Sequence, residues 1–343
     1  QYNIKCLLEN MLSATMFPAS RINQMYLEYS PFCPRCGLEP ESDLHCIWTC
    51  KANEYISDEC VQQSQDLVKK AVEGCEVNPC LWLRGILPSH LINIPPEAAP
   101  IETDCITFIN EVNVSLNSGL YYGDASGGAH SKYPDIRRVG CAFAVIDQVG
   151  NLVFAAKFPL VGEIQTVYRG ELYVLVVLVR LSSNDSVLEL VTDNEAVFKM
   201  FNGGYTKATM SCSNCELYYE LFQVIQSKNR SLTVRWMPSH LKDKDCKKTR
   251  PDTVSDLDIC GNDFADKYAE QCAADAQVPT HVAYECIFHY LLVKRIQWRI
   301  ITVISNLPER KICKTVRTLK EHKLDLDEVL NKSKHVLSRD NNR

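Results

Sequence analysis

At 343 residues, 46% of them apolar, the chain is long enough for two domains and can furnish at least one substantial core. A net charge of −5 and a pI near 6.0 exclude a generic polyanion binder, although residues 281–343 carry 13 Lys/Arg against 7 Asp/Glu and leave −11 for the first 280, so any electrostatic nucleic-acid footprint is local. Seventeen cysteines behind a Gln start with no charged-then-apolar leader do not read as a secreted disulfide framework, and the longest apolar runs, 172–179 and 300–304, are far short of a membrane span; the expectation is a fragment of a longer chain in a reducing intracellular compartment, nucleus or cytoplasm, with some thiols bound to metal and no membrane partner.

Residues 1–31 place Ile4, Leu7, Leu8 and Met11 at helical spacing before a break at Pro18, which predicts one or two short helices. Phe32-Cys33-Pro34-Arg35-Cys36-Gly37 follows, then His45, Cys46 and Cys50. With Cys46 left out the spacing is C-x2-C-x8-H-x4-C, and Cys33, Cys36, His45 and Cys50 can close a tetrahedral zinc site. Four protein ligands leave no open position, so the zinc is expected to be structural; free buried cysteines are the alternative. Signals thin out over 53–117. Helical patterning in 61–72 gives way to Pro79, Pro88, Pro95, Pro96 and Pro100, which prevent long regular elements, so this stretch reads as a connector anchored by Leu81-Trp82-Leu83. Cys75 and Cys80 have no convincing partners.

From Gly119 the pattern becomes regular. Strands are predicted over 120–124, 140–146 and 152–156, the last two joined by the turn Gln148-Val149-Gly150-Asn151, which makes an antiparallel meander. A helix over 168–181 crosses to a strand over 187–192, helices over 195–201 and 215–227 follow, and a strand over 232–236 completes the sheet. Four acids stand out in this stretch. Asp124 ends the first strand ahead of Gly127-Gly128, and Glu171 opens an apolar helix whose next nine residues contain no acid. Asp193 ends the fourth strand, with a second reading as the N-cap of the helix at 195, and Asp266 lies in Gly261-Asn262-Asp263-Phe264-Ala265-Asp266. Burying unpaired carboxylates costs roughly a few kcal/mol each, so the group asks for a compensating cation. Two Mg²⁺ or Mn²⁺ ions about 3.5 to 4 Å apart suit hard oxygen ligands and in-line displacement at phosphorus.

The succession Gly123-Asp124-Ala125-Ser126, Arg169-Gly170-Glu171-Leu172, Val191-Thr192-Asp193-Asn194, Trp236-Met237-Pro238-Ser239-His240 and Gly261-Asn262-Asp263-Phe264-Ala265-Asp266 resembles ribonuclease H, especially the version carried by non-LTR retrotransposon polyproteins, over about 155 residues. The Cys33 knuckle likewise resembles the one that follows the polymerase in many non-LTR reverse transcriptases. The resemblance implies an α/β fold, a mixed five-stranded sheet flanked by helices, with a zinc knuckle before it and a basic helical tail after it. It also implies a metal quartet of Asp124, Glu171, Asp193 and Asp266, and cleavage of the RNA strand of an RNA–DNA hybrid. The family's Asn-x-x-x-Asp spacing selects Asp266 over Asp263. His240 falls where the family has a mobile histidine near the leaving oxygen, suited to proton transfer or product release. Asn262 is expected to orient a ligand or water, and Ser126 and Asn194 are candidates for hydrogen bonds to the RNA 2′-hydroxyl.

The organisation expected is 1–52 helical segment plus knuckle, 53–117 connector, 118–277 nuclease module and 278–343 basic helical tail, with the reverse transcriptase portion of the parent polyprotein as a partner. Residues 241–260 are long for the loop they fill and carry Lys242, Lys244, Lys247, Lys248 and Arg250, which either touch substrate phosphate or form a solvated insertion. Cys212 and Cys215 read as free thiols, and Arg310 to Lys323 as a basic stretch more often a solvated face than a nucleic-acid arm. No Tyr-x-Asp-Asp polymerase element occurs. Two rival readings stand beside this one: another nuclease of the same fold, and a nucleic-acid-binding relic of a decayed element that binds without cutting.

Overall fold

The structure is a computed structural model and describes residues 2–13, 16–110, 116–210, 213–239, 241 and 249–308. Helices α1 (Tyr2–Leu12) and α2 (Ala19–Met25) lead into the Cys33–Cys50 segment, which ends in a π-helical turn over His45–Thr49. Three short helices follow, α3 (Glu59–Gln62), α4 (Val68–Gly74) and α5 (Pro79–Arg84); Pro79 sits in the first turn of α5, where its missing N–H and fixed φ are tolerated, and Gly85 closes the helix at φ 60°. These proline-punctuated elements match the expectation that nothing long and regular forms here.

The sheet runs in the order β1-β4-β3-β2-β5-β6, with β1 Thr107–Ile109, β2 Gly119–Ser126, β3 Gly140–Ile146, β4 Leu152–Pro159, β5 Val187–Thr192 and β6 Ser231–Trp236. The first four in that order pair antiparallel, and β2-β5-β6 pair parallel. It is the mixed sheet flanked by helices that the sequence implied, with six strands instead of five. The added strand β1 comes from the stretch read as connector; three residues on a sheet edge, two of them exposed, are too few for an alternation to register.

Helices α6 (Val167–Leu181), α7 (Glu195–Asn202), α8 (Tyr205–Met210) and α9 (Cys215–Ser227) cover one face of the sheet. Residues Gly170 to Val179 of α6 are all buried, which accounts for the apolar run after Glu171. Helix α10 (Asp256–Asp275) crosses the other face over β2, β3 and β4, packing Ala265, Tyr268 and Ala269 against Tyr122, Ala142, Ala144 and Ala155.

The segment expected as loop to residue 260 therefore ends at Ser255, the N-cap of α10. Its hydroxyl accepts from the Asp258 N–H at 3.0 Å, and the Asp258 carboxylate accepts from the Ser255 N–H at 2.8 Å. Helix α11 (Thr280–Ser305) begins the stretch expected as a tail but is docked: Ile296 and Ile300 join Met11, Trp48, Leu67, Leu81 and Trp82 in a second apolar core. Among the described residues no helix is long and apolar enough to cross a membrane.

Candidate active site and metal centres

The register of the two central strands sets the site. Gly119 of β2 lies opposite Leu188 of β5, and Gly123 opposite Thr192, so in this parallel pair Asp124 and Asp193 come next, side by side at the carboxyl ends of adjacent strands about 4.8 Å apart. Glu171 arrives from above on the second turn of α6. The helix can lie that close because residue 170 is glycine: a Cβ there would meet Val139 Cγ1 at 2.6 Å and Ala125 Cβ at 2.9 Å. From below comes α10 with Asp266. That helix approaches through Gly140 of β3, where a Cβ would fall 2.2 Å from the Ala273 nitrogen and 2.3 Å from the Ala269 oxygen.

Carboxylate oxygens of Asp124, Glu171 and Asp193 lie within 4.8 Å of one another; Asp266 lies outside that group but near enough for its charge to act on Asp124. Asp124 and Glu171 are buried, whereas Asp193 and Asp266 are half-buried and face the open side. Burial pushes the Asp124 carboxyl up to about 8, reinforced by the charges of Asp193 and Asp266. Glu171 is raised by burial and by Asp124 and Asp193.

Thr192, which sequence reasoning passed over, donates to Glu171 Oε2 at 3.4 Å and accepts from the Asn194 N–H at 3.1 Å, tying α6 to the end of β5. The N-cap of α7 is Asn194, whose Oδ1 accepts from the Val197 N–H at 3.1 Å. The capping role considered for Asp193 therefore falls to its neighbour, whose side-chain oxygen is engaged in that cap. Ser126 Oγ accepts from the Gly128 N–H at 3.3 Å and shapes the turn that leaves β2. Asn262 lies one helical turn before Asp266 on α10, buried, and its Oδ1 has no hydrogen-bond partner among the described residues. An all-oxygen donor set, carboxyls held far above their ordinary range and an orphaned buried amide oxygen fit hard divalent cations.

His240, Lys242, Lys244, Lys247 and Lys248 lie outside the described residues, as does the Arg310 to Lys323 stretch. Arg250, at the described end of that loop, donates to the Val254 carbonyl at 2.7 Å and pairs with Asp256 at 2.5 Å, so it braces the start of α10.

A second group is formed by Cys33, Cys36, His45 and Cys50, whose ligand atoms also lie within 4.8 Å of one another. The π turn is the reason: it bonds the Cys50 N–H to the His45 carbonyl at 2.8 Å and so sets residues five apart one turn from each other. Cys33 Sγ is 3.7 Å from Cys50 Sγ, and Cys36 Sγ is 3.4 Å from His45 Nε2. Tetrahedral edges built from bonds of about 2.3 Å to sulfur and 2.0 Å to nitrogen come out at roughly 3.5 to 3.8 Å. Glu39 Oε2 lies 3.0 Å from His45 Nδ1, which turns Nε2 toward the thiols. The Cys36 thiol is lowered to about 6, chiefly by the Leu38 N–H, while burial pushes the Cys50 thiol up to about 12.

No protein-family model matches the sequence, and no curated protein is significantly similar to it. Among solved structures the chain is similar to the RNase H domain of PFV, at 16% identity over 46% of this chain and 95% of that one with a TM-score of 0.34. It is similar to an N-terminal RNase H domain from Mycobacterium tuberculosis at 14% identity over 46% and 96%, TM-score 0.31, and to RNase H1 of Halobacterium salinarum at 12% over 46% and 97%, TM-score 0.31.

Proposed function

We infer that the chain is a divalent-metal nuclease that hydrolyses the RNA strand of RNA–DNA hybrids, within a retroelement polyprotein whose reverse transcriptase portion is its partner. One observation carries the reading: acids scattered from 124 to 266 meet at the carboxyl ends of two parallel strands, with Asp124, Glu171 and Asp193 inside 4.8 Å and Asp266 acting on Asp124.

In this reading Asp124, Glu171, Asp193 and Asp266 hold two Mg²⁺ or Mn²⁺ ions. Bound there, the pair supplies the charge that activates water and steadies the leaving 3′ oxygen at phosphorus. The protein's own contribution is placement. Glu171 and Asp124 are fixed by burial, and Thr192 holds the Glu171 carboxylate in line with the end of β5. Asp193 and Asp266, on the open side, face incoming phosphate. Asn262 orients a water or ligand through its unengaged oxygen, Ser126 flanks the ribose, and His240 moves a proton at the departing oxygen. The products carry 5′-phosphate and 3′-hydroxyl ends. Cys33, Cys36, His45 and Cys50 hold a structural zinc, whose four protein ligands leave it no open position for chemistry.

The test is a hybrid labelled on each strand in turn, incubated with Mg²⁺ beside double-stranded DNA. RNA cleavage confined to the hybrid is expected. Binding without cleavage sinks the enzymatic reading in favour of a decayed relic, and cleavage of double-stranded DNA points to another nuclease of this fold.

A further inference from the structure

The loop that leaves the site-bearing end of β2 runs on through residues 129–134 and meets α11. Between them lies a groove of about 580 Å³, within the range of sites that take a small organic group. Its walls combine Tyr133 and Tyr290, whose rings sit 5.4 Å apart, with Leu291 and Trp298, both exposed, and with Lys132 and Lys294 at the rim. None of the residues lining it is acidic, and among the described residues neither Lys132 nor Lys294 pairs with an acid. A nearby carboxylate, that of Asp135, accepts from the Tyr290 hydroxyl. An exposed tryptophan beside two lysines with no counter-charge is the chemistry of a strand that brings flat bases and phosphates together.

We propose that this groove binds single-stranded DNA, holding the DNA strand of the hybrid where it runs on beyond the duplex. Bases stack on Trp298 and the Tyr133 edge while Lys132 and Lys294 meet phosphates. The choice of DNA rests on the function proposed above, in which the RNA strand is consumed and the DNA strand persists.

The experiment is fluorescence anisotropy of a labelled twelve-residue oligodeoxythymidine with the full chain in Mg²⁺-free buffer, where no cleavage occurs. Trp298→Ala is expected to weaken binding about tenfold and Trp298→Phe to restore most of it. The Lys132→Ala, Lys294→Ala pair, two exposed changes that leave the cores alone, is expected to flatten the slope of log affinity against log salt by about 1.4. Asp124→Asn is expected to bind this oligonucleotide like wild type, so loss of cleavage and loss of strand binding separate the two proposals. Unchanged affinity and slope in both Trp298→Ala and the lysine pair would overturn the groove. Tighter binding of oligouridine would overturn its assignment to DNA. A wild-type dimer that Trp298→Ala dissociates would make the groove an interface between copies instead.

Discussion

Asp124 and Glu171 are the residues at which burial and charge conflict most openly. The Asp124 carboxyl stands at about 8 in the fold against 3.8 in a free chain, so between roughly pH 4 and 8 the folded state binds protons that the unfolded state has released. Stability then falls as pH rises through this window, by about 1.4 kcal/mol for each unit of displacement. The melting temperature measured without divalent ions should drop between pH 5.5 and 8, and the rise produced by Mg²⁺ should be larger at pH 8, where the ligands are ionised. A Glu171→Gln chain should melt higher than wild type without Mg²⁺, gain little from Mg²⁺, and lose hybrid cleavage by about a thousandfold or more. A Mg²⁺-induced rise as large in Glu171→Gln as in wild type would remove Glu171 from the metal ligands. These acids could be read in the sequence because each interrupts or ends an apolar run. Thr192 could not, because it matters only once α6 is laid over β5, and the orphaned oxygen of Asn262 is likewise a property of the packed helix.

Elements, in turn, reach their places through glycines that act as points of close approach, among them Gly170 under α6 and Gly140 under α10. At Gly140 the obstacle to a side chain is backbone, the Ala273 nitrogen and Ala269 oxygen of α10, which cannot rotate away. Gly140→Ala should therefore destabilise by about 1 to 3 kcal/mol and lift α10, and with it Asp266, off the sheet, so that cleavage falls further than stability alone accounts for. Gly119→Ala is the matched control: the nearest atom to its Cβ is Tyr121 Cε2 at 3.9 Å, and its change should stay within about 0.5 kcal/mol. Equal melting temperatures for the two variants would contradict this account of how the sheet and α10 meet. The alternation and turn chemistry of 140–156 and the apolar run of α6 were legible at this scale. The start of α10 was not, since Asp256, Asp258 and Asp263 dilute its period; the readable signal was Ser255 followed three residues later by Asp258, a capping box. Residues 205–210 form α8 where only a gap between helices had been expected, six residues being too few to declare a period.

Across the whole molecule, α11 folds back onto the N-terminal elements, packing on α1, α3, α5 and the His45–Thr49 turn, and one side chain carries much of that tie. Arg299 is fully buried, its guanidinium 4.8 Å over the Trp48 ring, donating to the Ile47 carbonyl, the Val61 carbonyl and Ser64 Oγ, each at 3.1 Å. Burial lowers it to about 10, so it remains charged at neutral pH, held through Nε and Nη1 by carbonyl and hydroxyl oxygens and by the ring face in place of an acid, while Nη2 has no hydrogen-bond partner among the described residues. Ile47 belongs to the π turn that carries His45 and leads to Cys50, which links the geometry of the Cys/His group to a helix some 250 positions later in the chain. Arg299→Met keeps most of the volume but removes three hydrogen bonds from a charged donor, each worth about 1.5 to 3 kcal/mol. The variant should release zinc to a chelator several-fold faster and become sensitive to protease within 53–100. The carboxylate site, held by the sheet, α6 and α10, should keep cutting hybrids at a rate near wild type. Following zinc release and cleavage on the same preparation decides the matter: zinc retention unchanged in Arg299→Met would mean that α11 does not brace the knuckle, and cleavage lost in step with zinc would mean that the two cores are one cooperative unit.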